Sequence, residues 1–90
     1  MSFRKQAFSA TYIFDDTGFT IEHKYGTTHY DFDQIKHVTM VIPDESMIFY
    51  ILNVFTEKER YTISFMMQKE LCENIYEFMH ARLPKKDTED

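Results

Sequence analysis

Apolar and polar residues alternate along residues 8–65, which is the pattern of half-buried β-strands. The pattern predicts six strands, separated by segments such as 15–18, 43–46 and 56–59 that are rich in turn-forming residues. The side chains predicted to face inward are, strand by strand, Phe8, Ala10, Tyr12 and Phe14; Phe19, Ile21, His23 and Tyr25; Thr28, Tyr30 and Phe32; Val38, Met40 and Ile42; Met47, Phe49, Ile51 and Phe55; and Tyr61, Ile63 and Phe65.

Residues 67–83 change to the spacing of three and four that one face of an α-helix produces. The apolar stripe consists of Met67, Leu71, Ile75, Phe78, Met79 and Leu83. Pro84 ends the predicted helix, and residues 85–90 are predicted to be a disordered acidic tail. Strands first and one helix last predict an α+β, mainly β, fold in a single domain of residues 1–84. The helix is expected to cover the open apolar end of a twisted antiparallel sheet.

The fifth predicted strand, residues 47–55, departs from the alternation because both of its faces are apolar. With Phe49 and Ile51 directed to the core, apolar residues remain on the outer face, where an antiparallel sheet normally has polar residues. That outer set consists of Ile48, Tyr50, Leu52 and Val54. We expect it either to form an interface with a second copy or another protein, or to be buried by the helix, by a crossing between two sheets or by a bulge.

The charge of the chain limits the classes of partner that it is expected to bind. The 90 residues include ten Lys plus Arg and fifteen Asp plus Glu, which give a formal charge of -5 at pH 7. The cations are scattered and do not form a cluster, so we expect no nucleic-acid partner. A single cysteine excludes an internal disulfide, and no apolar run approaches the ~20 residues of a membrane span. These features predict a soluble cytoplasmic protein.

The histidines and paired carboxylates show no catalytic or metal-binding pattern. His23, His29, His37 and His80 have no metal-ligand spacing; His23 is predicted to face the core and His29 to face solvent. The paired carboxylates lie in or beside predicted turns, where acidic residues are common for conformational reasons.

The sulfur-containing residues have two interpretations. Cys72 lies near the start of the predicted helix, with Lys69 close in sequence. It is interpreted either as a reactive residue whose thiol pKa is lowered or as a buried, unreactive residue. Five methionines are interpreted as flexible core filling: Met40, Met47, Met66, Met67 and Met79. The sequence therefore predicts no catalytic residue, no cofactor and no metal, and a protein that is not an enzyme.

Two segments resemble landmarks of bacterial pleckstrin-homology-like (PH-like) domains. Residues 12–21, Tyr-Ile-Phe-Asp-Asp-Thr-Gly-Phe-Thr-Ile, resemble the opening hairpin of that family, in which an acidic turn ends in Gly. Residues 30–38, Tyr-Asp-Phe-Asp-Gln-Ile-Lys-His-Val, resemble the aromatic residue, acidic turn and Ile-x-x-Val strand that follow, and residues 60–63 fit the last strand. The resemblance implies an antiparallel half-open barrel of six or seven strands capped by one C-terminal α-helix. Residues 3–6 would supply a seventh strand.

The same resemblance bears on ligands. PH-like relatives bind phosphoinositide headgroups through cations in and beside the loop of the first hairpin. The matching positions of this chain, residues 15–18, include two aspartates, which repel phosphate. We therefore expect no phosphoinositide binding, and no lipid-binding residue is assigned.

Three hypotheses for the function follow. The first is a non-catalytic domain that self-associates as a homo-oligomer, or binds another protein, through the outer face of the fifth strand and a sheet edge. The second is membrane-surface binding through basic residues at the two ends of the chain, Arg4, Lys5, Arg82, Lys85 and Lys86. The third is a small acidic inhibitor or immunity-type protein that masks a basic enzyme surface.

Overall fold

The structure is a computed structural model that describes residues 1–42 and 48–84. These residues form seven β-strands and a C-terminal α-helix, with a short 3₁₀ turn before the fifth strand. The elements are β1 (Ser2–Ala7), β2 (Ala10–Asp15), β3 (Gly18–His23), β4 (Gly26–Tyr30), the 3₁₀ turn (Phe32–Gln34), β5 (Ile35–Val41), β6 (Phe49–Thr56), β7 (Arg60–Met66) and α1 (Lys69–Arg82). The predicted α+β, mainly β, fold class is confirmed. The predicted turn at 43–46, Met47 and the predicted tail at 85–90 lie outside the described residues.

Two antiparallel sheets contain these strands, a four-stranded sheet in the order β1-β2-β3-β4 and a three-stranded sheet in the order β5-β6-β7. Consecutive strands pair with one another in both sheets. The pairing of Phe3 with Phe14 shows that residues 3–6 supply the seventh strand. The first hairpin of the chain is therefore β1–β2, whose turn follows Ala7, and the predicted hairpin with its turn at residues 15–18 is present as the second, β2–β3.

The turn between β2 and β3 is specified by its own residues. The Asp15 carboxylate accepts hydrogen bonds from the Thr17 hydroxyl at 2.6 Å and from the Thr17 backbone N–H at 2.9 Å. These bonds lower the pKa of Asp15 from its usual value. Gly18 follows with a φ of +135°, and a Cβ added there would lie 2.1 Å from the Tyr30 carbonyl oxygen. Only glycine fits this backbone position without a shift of the neighbouring strand.

The hydrophobic core is formed by side chains of both sheets and of α1. Phe14 and Phe19 stack with their ring centroids 5.0 Å apart, and Phe3 meets Phe78 of the helix edge to face at 5.4 Å. The helix also packs against β5, β6 and β7. The buried core residues are Phe14, Phe19, Ile21, Ile35, Val38, Tyr50, Leu52, Val54, Ile63, Phe65, Cys72, Ile75, Phe78 and Met79. Burial of a large apolar side chain contributes about 1.5–3 kcal/mol, so the four buried helical residues fix the helix on the sheets.

The predicted orientation of the fifth strand is wrong. Tyr50, Leu52 and Val54 are 3%, 0% and 0% exposed and belong to the core, whereas Phe49 on the opposite face is 41% exposed. β6 is the central strand of its sheet, and its inner side chains face the region that α1 covers. Burial within the fold, the alternative to an interface, is therefore the correct interpretation for these three residues. Ile48 precedes the strand and is 42% exposed.

Four other residues that were predicted to face inward are exposed. Ile42 directly follows the last residue of β5 and is 43% exposed. Phe8 lies in the β1–β2 turn, with its side chain 103% exposed and a φ of 55°. Tyr25 lies in the β3–β4 turn and is 85% exposed. His23 is exposed at the end of β3. Phe8, Tyr25 and Ile42 lie just outside the strands, which are shorter than the alternation in the sequence, and His23 is the last residue of β3, so none of these side chains is covered by the core.

The core-filling interpretation of the methionines is wrong for two of them. Met66 and Met67 are 56% and 80% exposed, while Met79 is buried and Met40 is partly buried. Met67 has a φ of 58°, which is not helical, and α1 begins at Lys69. The predicted helix start at residue 67 was therefore two residues too early.

We expect Leu52→Asp to unfold the protein. The substitution buries a carboxylate in a core position that is 0% exposed, which costs several kcal/mol out of the ~5–15 kcal/mol that stabilises a domain. Circular dichroism should show loss of the folded far-UV spectrum and of a cooperative thermal transition. Ser64→Asp places the same carboxylate on the exposed face of β7 and should preserve both. A folded Leu52→Asp protein would contradict the assignment of this face to the core.

Candidate functional site

The side of the three-stranded sheet that faces away from the core presents four rows of side chains. The strand register sets these rows, because paired residues of antiparallel strands lie on the same face. Starting near the β6–β7 turn, the rows are His37, Phe55 and Arg60; Thr39, Asn53 and Thr62; Val41, Ile51 and Ser64; and Phe49 with Met66. This surface is called the outer face below.

Apolar side chains form an exposed cluster at the end of the outer face that is farthest from the β6–β7 turn. The corner patch is defined as Val41 (43% exposed), Phe49 (41%) and Met66 (56%) of the outer face, together with Ile42 (43%) and Ile48 (42%), which lie just beyond the ends of β5 and β6. The Met67 backbone N–H donates to the Ile48 carbonyl at 2.7 Å, which fixes the end of β7 beside the start of β6. Together the five side chains expose on the order of 400 Å², a size at which apolar patches on monomeric proteins are often functional.

A hydrogen-bonded polar row crosses the middle of the outer face. The Asn53 amide nitrogen donates to the Thr39 hydroxyl at 3.3 Å, and the Asn53 amide oxygen accepts from the Thr62 hydroxyl at 2.8 Å. The three side chains come from three different strands and meet only because of the strand register. Both groups of the Asn53 amide therefore have partners within the sheet.

The remaining row of the outer face is aromatic and basic. The His37 ring stacks on Phe55, with the centroids 4.2 Å apart, and Arg60 is exposed beside them. Among its described residues, the outer face includes no Asp or Glu. The described carboxylates lie elsewhere, at Asp15, Asp16, Glu22, Asp31, Asp33, Glu57, Glu59, Glu70, Glu73 and Glu77. Among the residues that the structure describes, the outer face therefore carries no negative side chain, although the chain as a whole is acidic.

A hydroxyl, an imidazole and a carboxylate meet on the other sheet. The Thr20 hydroxyl lies 2.7 Å from His29 Nδ1, and His29 Nε2 lies 3.2 Å from the Asp31 carboxylate. His29 is exposed, as predicted, and it pairs with Thr20 across β3 and β4. The distances suit proton transfer from a hydroxyl nucleophile. However, the group lies on an open sheet surface, and neither cleft that borders the 3₁₀ turn is lined by these residues.

A shallow acidic cleft of about 380 Å³ lies between the 3₁₀ turn and the β6–β7 turn. Its lining consists of Tyr30, Asp33, Gln34, Thr56, Glu57, Lys58 and Glu59. The hydroxyls of Tyr30 and Tyr61 lie 2.7 Å apart, and burial raises the pKa of Tyr61 above its usual value. Lys36 pairs with Glu57 at 3.4 Å and offsets part of the acidic charge. In residues 1–42 and 48–84, no group of three or more His, Cys, Asp or Glu side chains could hold a metal ion.

Cys72 is a buried residue of the helix. Its side chain is 0% exposed and belongs to the core cluster. Burial, with a smaller contribution from Glu73, raises the pKa of the thiol to about 11. Of the two interpretations that the sequence left open, inert burial is therefore the one that fits the structure.

The basic residues predicted to meet a membrane are partly engaged within the protein. Lys5 Nζ lies 5.1 Å from the centroid of the Phe65 ring and donates to the Gln68 side chain. Arg82 lies 3.4 Å from the Asp16 carboxylate and 3.8 Å from the centroid of the Phe78 ring. Arg4 is exposed on β1. Residues 85 and 86 lie outside the described part of the chain.

Comparison with known proteins identifies no relative: no family model, curated protein or solved structure matches the chain. Within the described residues, no helix is long and apolar enough to cross a lipid bilayer; α1 has 14 residues. The function therefore has to be inferred from the surface itself.

We expect Cys72 to be unreactive in the folded protein at neutral pH. A thiol with a pKa near 11 that is removed from solvent offers little thiolate for attack. A chromogenic disulfide reagent at pH 7.5 should label it rapidly in concentrated urea and at least about 100-fold more slowly without denaturant. Equal labelling rates in the two solutions would contradict the buried position.

Proposed function

We propose that the chain is a non-catalytic protein-interaction domain whose binding surface is the corner patch together with the adjoining outer face. The supporting observation is the group of five exposed apolar side chains at one end of the three-stranded sheet, of which Val41, Phe49 and Met66 belong to the outer face itself. Removing apolar surface from water contributes about 25 cal/mol per Å². A patch on the order of 400 Å² therefore contributes about 10 kcal/mol before the entropic costs of association are subtracted.

The residues of this surface differ from those that the sequence favoured. Tyr50, Leu52 and Val54 are buried, and a folded chain does not offer them to a partner. Of the four residues that the sequence favoured, Ile48 is exposed and stays in the proposed surface. Its other main residues are Phe49 and Met66, whose side chains lie on the face of the sheet opposite to Tyr50, Leu52 and Val54. The proposed interaction surface therefore lies on the face of β6 opposite to the one that the sequence favoured.

We further propose that the domain, residues 1–84, is PH-like, with the two sheets forming a half-open barrel that the helix caps. Four strands followed by three strands and a C-terminal helix support this proposal. The packing of α1 against all three strands of the second sheet supports it as well. No phosphoinositide site is proposed, because Lys5, one of the two basic residues of the first hairpin, is engaged by the Phe65 ring and the Gln68 side chain, and the chain as a whole is acidic.

We expect site-specific photocrosslinking in the native cells to detect the partner. A photoreactive phenylalanine derivative in place of Met66 should give a discrete protein adduct, identified by mass spectrometry, because position 66 lies within the binding surface. The matched control replaces Glu22, which is exposed on the four-stranded sheet. The interaction proposal fails if position 66 gives no adduct, or if both positions give the same adducts in the same yield.

A second candidate function is binding to a membrane surface, and the tips of two turns favour it. Phe8 is 103% exposed in a backbone conformation that costs an ordinary residue roughly 1–2 kcal/mol. Tyr25 is 85% exposed in the turn at the same end of the sheet, and Lys24 Nζ lies 5.6 Å from the centroid of its ring. Exposed aromatic residues beside lysines suit a lipid–water boundary. No described contact similarly favours the acidic-inhibitor hypothesis.

Vesicle sedimentation separates the two candidates. The protein is mixed at low salt with vesicles of phosphatidylcholine and phosphatidylserine, and the vesicles are then pelleted by centrifugation. We expect the protein to remain in the supernatant, because Lys5 and Arg82 are engaged internally and the chain is acidic. Sedimentation that weakens with added salt and is lost in Phe8→Gly would instead establish the membrane function. Phe8→Gly is the suitable variant because glycine adopts a φ of 55° without strain.

A further inference from the structure

We infer that the partner of the outer face is a second copy of this chain, so that two three-stranded sheets pack face to face in a symmetric dimer. This inference rests on the proposed function, because it names the partner of the same surface. The charge of the face, the internal pairing of its polar row and its size all lead to it.

The outer face is unlike the rest of the chain in its charge. The chain has a formal charge of -5, but the described residues of this face include no carboxylate and one arginine, Arg60. A surface that recognises a basic protein needs acidic groups, and one that recognises an acidic protein needs several cations. A nearly neutral face is where two acidic copies meet with the least repulsion, because the described carboxylates of both copies lie elsewhere.

The polar row in the middle of the face does not oppose its burial. The Asn53 side chain already bonds to Thr39 and to Thr62 within its own sheet, at 3.3 Å and 2.8 Å. Polar groups that have partners lose little when a protein surface covers them, whereas unpaired groups oppose burial. The row can therefore lie at the centre of a contact between two copies.

The symmetry and the size of the face fit a weak dimer. A twofold axis in the plane of contact places the face against itself, so the corner patch meets either the other corner patch or the stack of His37 on Phe55. A face three strands wide and eight residues long measures about 14 Å by 26 Å. The two faces together cover roughly 700 Å² of flat sheet, which is below the about 1,200 Å² of specific interfaces and in the range of weak, transient contacts. We therefore expect a reversible dimer with a Kd on the order of 10–100 µM.

Sedimentation velocity of the purified full chain tests this inference over concentrations from well below to well above that Kd. The average mass of the wild-type chain should rise from the monomer value of 10.9 kDa towards twice that value. Met66→Asp and Met66→Lys should each raise the Kd at least about tenfold, since either charge would be buried at the contact. Thr27→Asp adds a carboxylate to an exposed position of the other sheet and should dimerise like the wild type.

Salt provides a second readout that distinguishes this dimer from a charge-driven contact. Raising sodium chloride from about 0.05 M to about 0.5 M shortens the Debye length from roughly 14 Å to roughly 4 Å. The Kd should then fall several-fold, because repulsion between the two acidic copies is screened. A Kd that rises with salt would contradict an apolar contact through a nearly neutral face.

A wild-type chain that stays monomeric at every concentration overturns the inference, as does a dimer that Met66→Asp and Met66→Lys leave intact. If both variants lose their fold, the crosslinking experiment at position 66 decides, and an adduct of twice the chain mass is then required. A crosslink to a different protein, with a monomeric chain in sedimentation, removes the second-copy partner but leaves the interaction function standing. Absence of any crosslink contradicts the interaction function itself.

Discussion

The packing of the inner side chains of β6 is the interaction on which the rest of this structure depends. Tyr50, Leu52 and Val54 lie in the core that both sheets and α1 form, and none is more than 3% exposed. Because side chains alternate along a strand, burial of this set directs Phe49, Ile51, Asn53 and Phe55 to the other face. The composition of the outer face is therefore a consequence of how the core is packed.

The two sheets present different surfaces to solvent. The four-stranded sheet exposes a polar row across all of its strands, formed by Gln6, Thr11, Glu22 and Thr27. A polar face of this kind is stable in water without a partner. The three-stranded sheet instead has apolar side chains on both sides of its polar row, the half-buried Phe55 on one side and the exposed Val41 and Phe49 on the other. This contrast makes one of the two faces the candidate binding surface.

Two exposed residues are not explained by packing. Phe8 and Met67 are the non-glycine residues with positive φ in the described part of the chain, and they are 103% and 80% exposed. Lys5 contacts Phe65 and Gln68, which places the first hairpin beside the junction of β7 and α1. Neither apolar side chain makes core contacts that would offset the strain of its backbone. Like the corner patch, both residues are therefore candidates for a functional contact.

Much of the fold was predictable from the sequence because local signals agree with one another. The alternation of apolar residues indicated the strands, and Asp15 to Gly18 form the predicted turn through bonds within the turn itself. The helical stripe indicated α1, whose buried residues Ile75, Phe78 and Met79 were predicted correctly. The alternation was also continued too far, through Phe8 and Tyr25, since a period of two does not show where a strand ends.

The candidate site was not predictable in the same way. The sequence by itself determined that β6 is apolar on both faces, that the chain is acidic and that a single helix follows the strands. Only the tertiary structure decided which face of β6 is buried, because one polar residue, Asn53, among the apolar residues that residues 49–55 place on both faces does not fix which face is covered by a helix and a second sheet. The meeting of Thr39, Asn53 and Thr62, and of Phe49 with Met66, was likewise decided by strand register, which depends on contacts between residues distant in sequence.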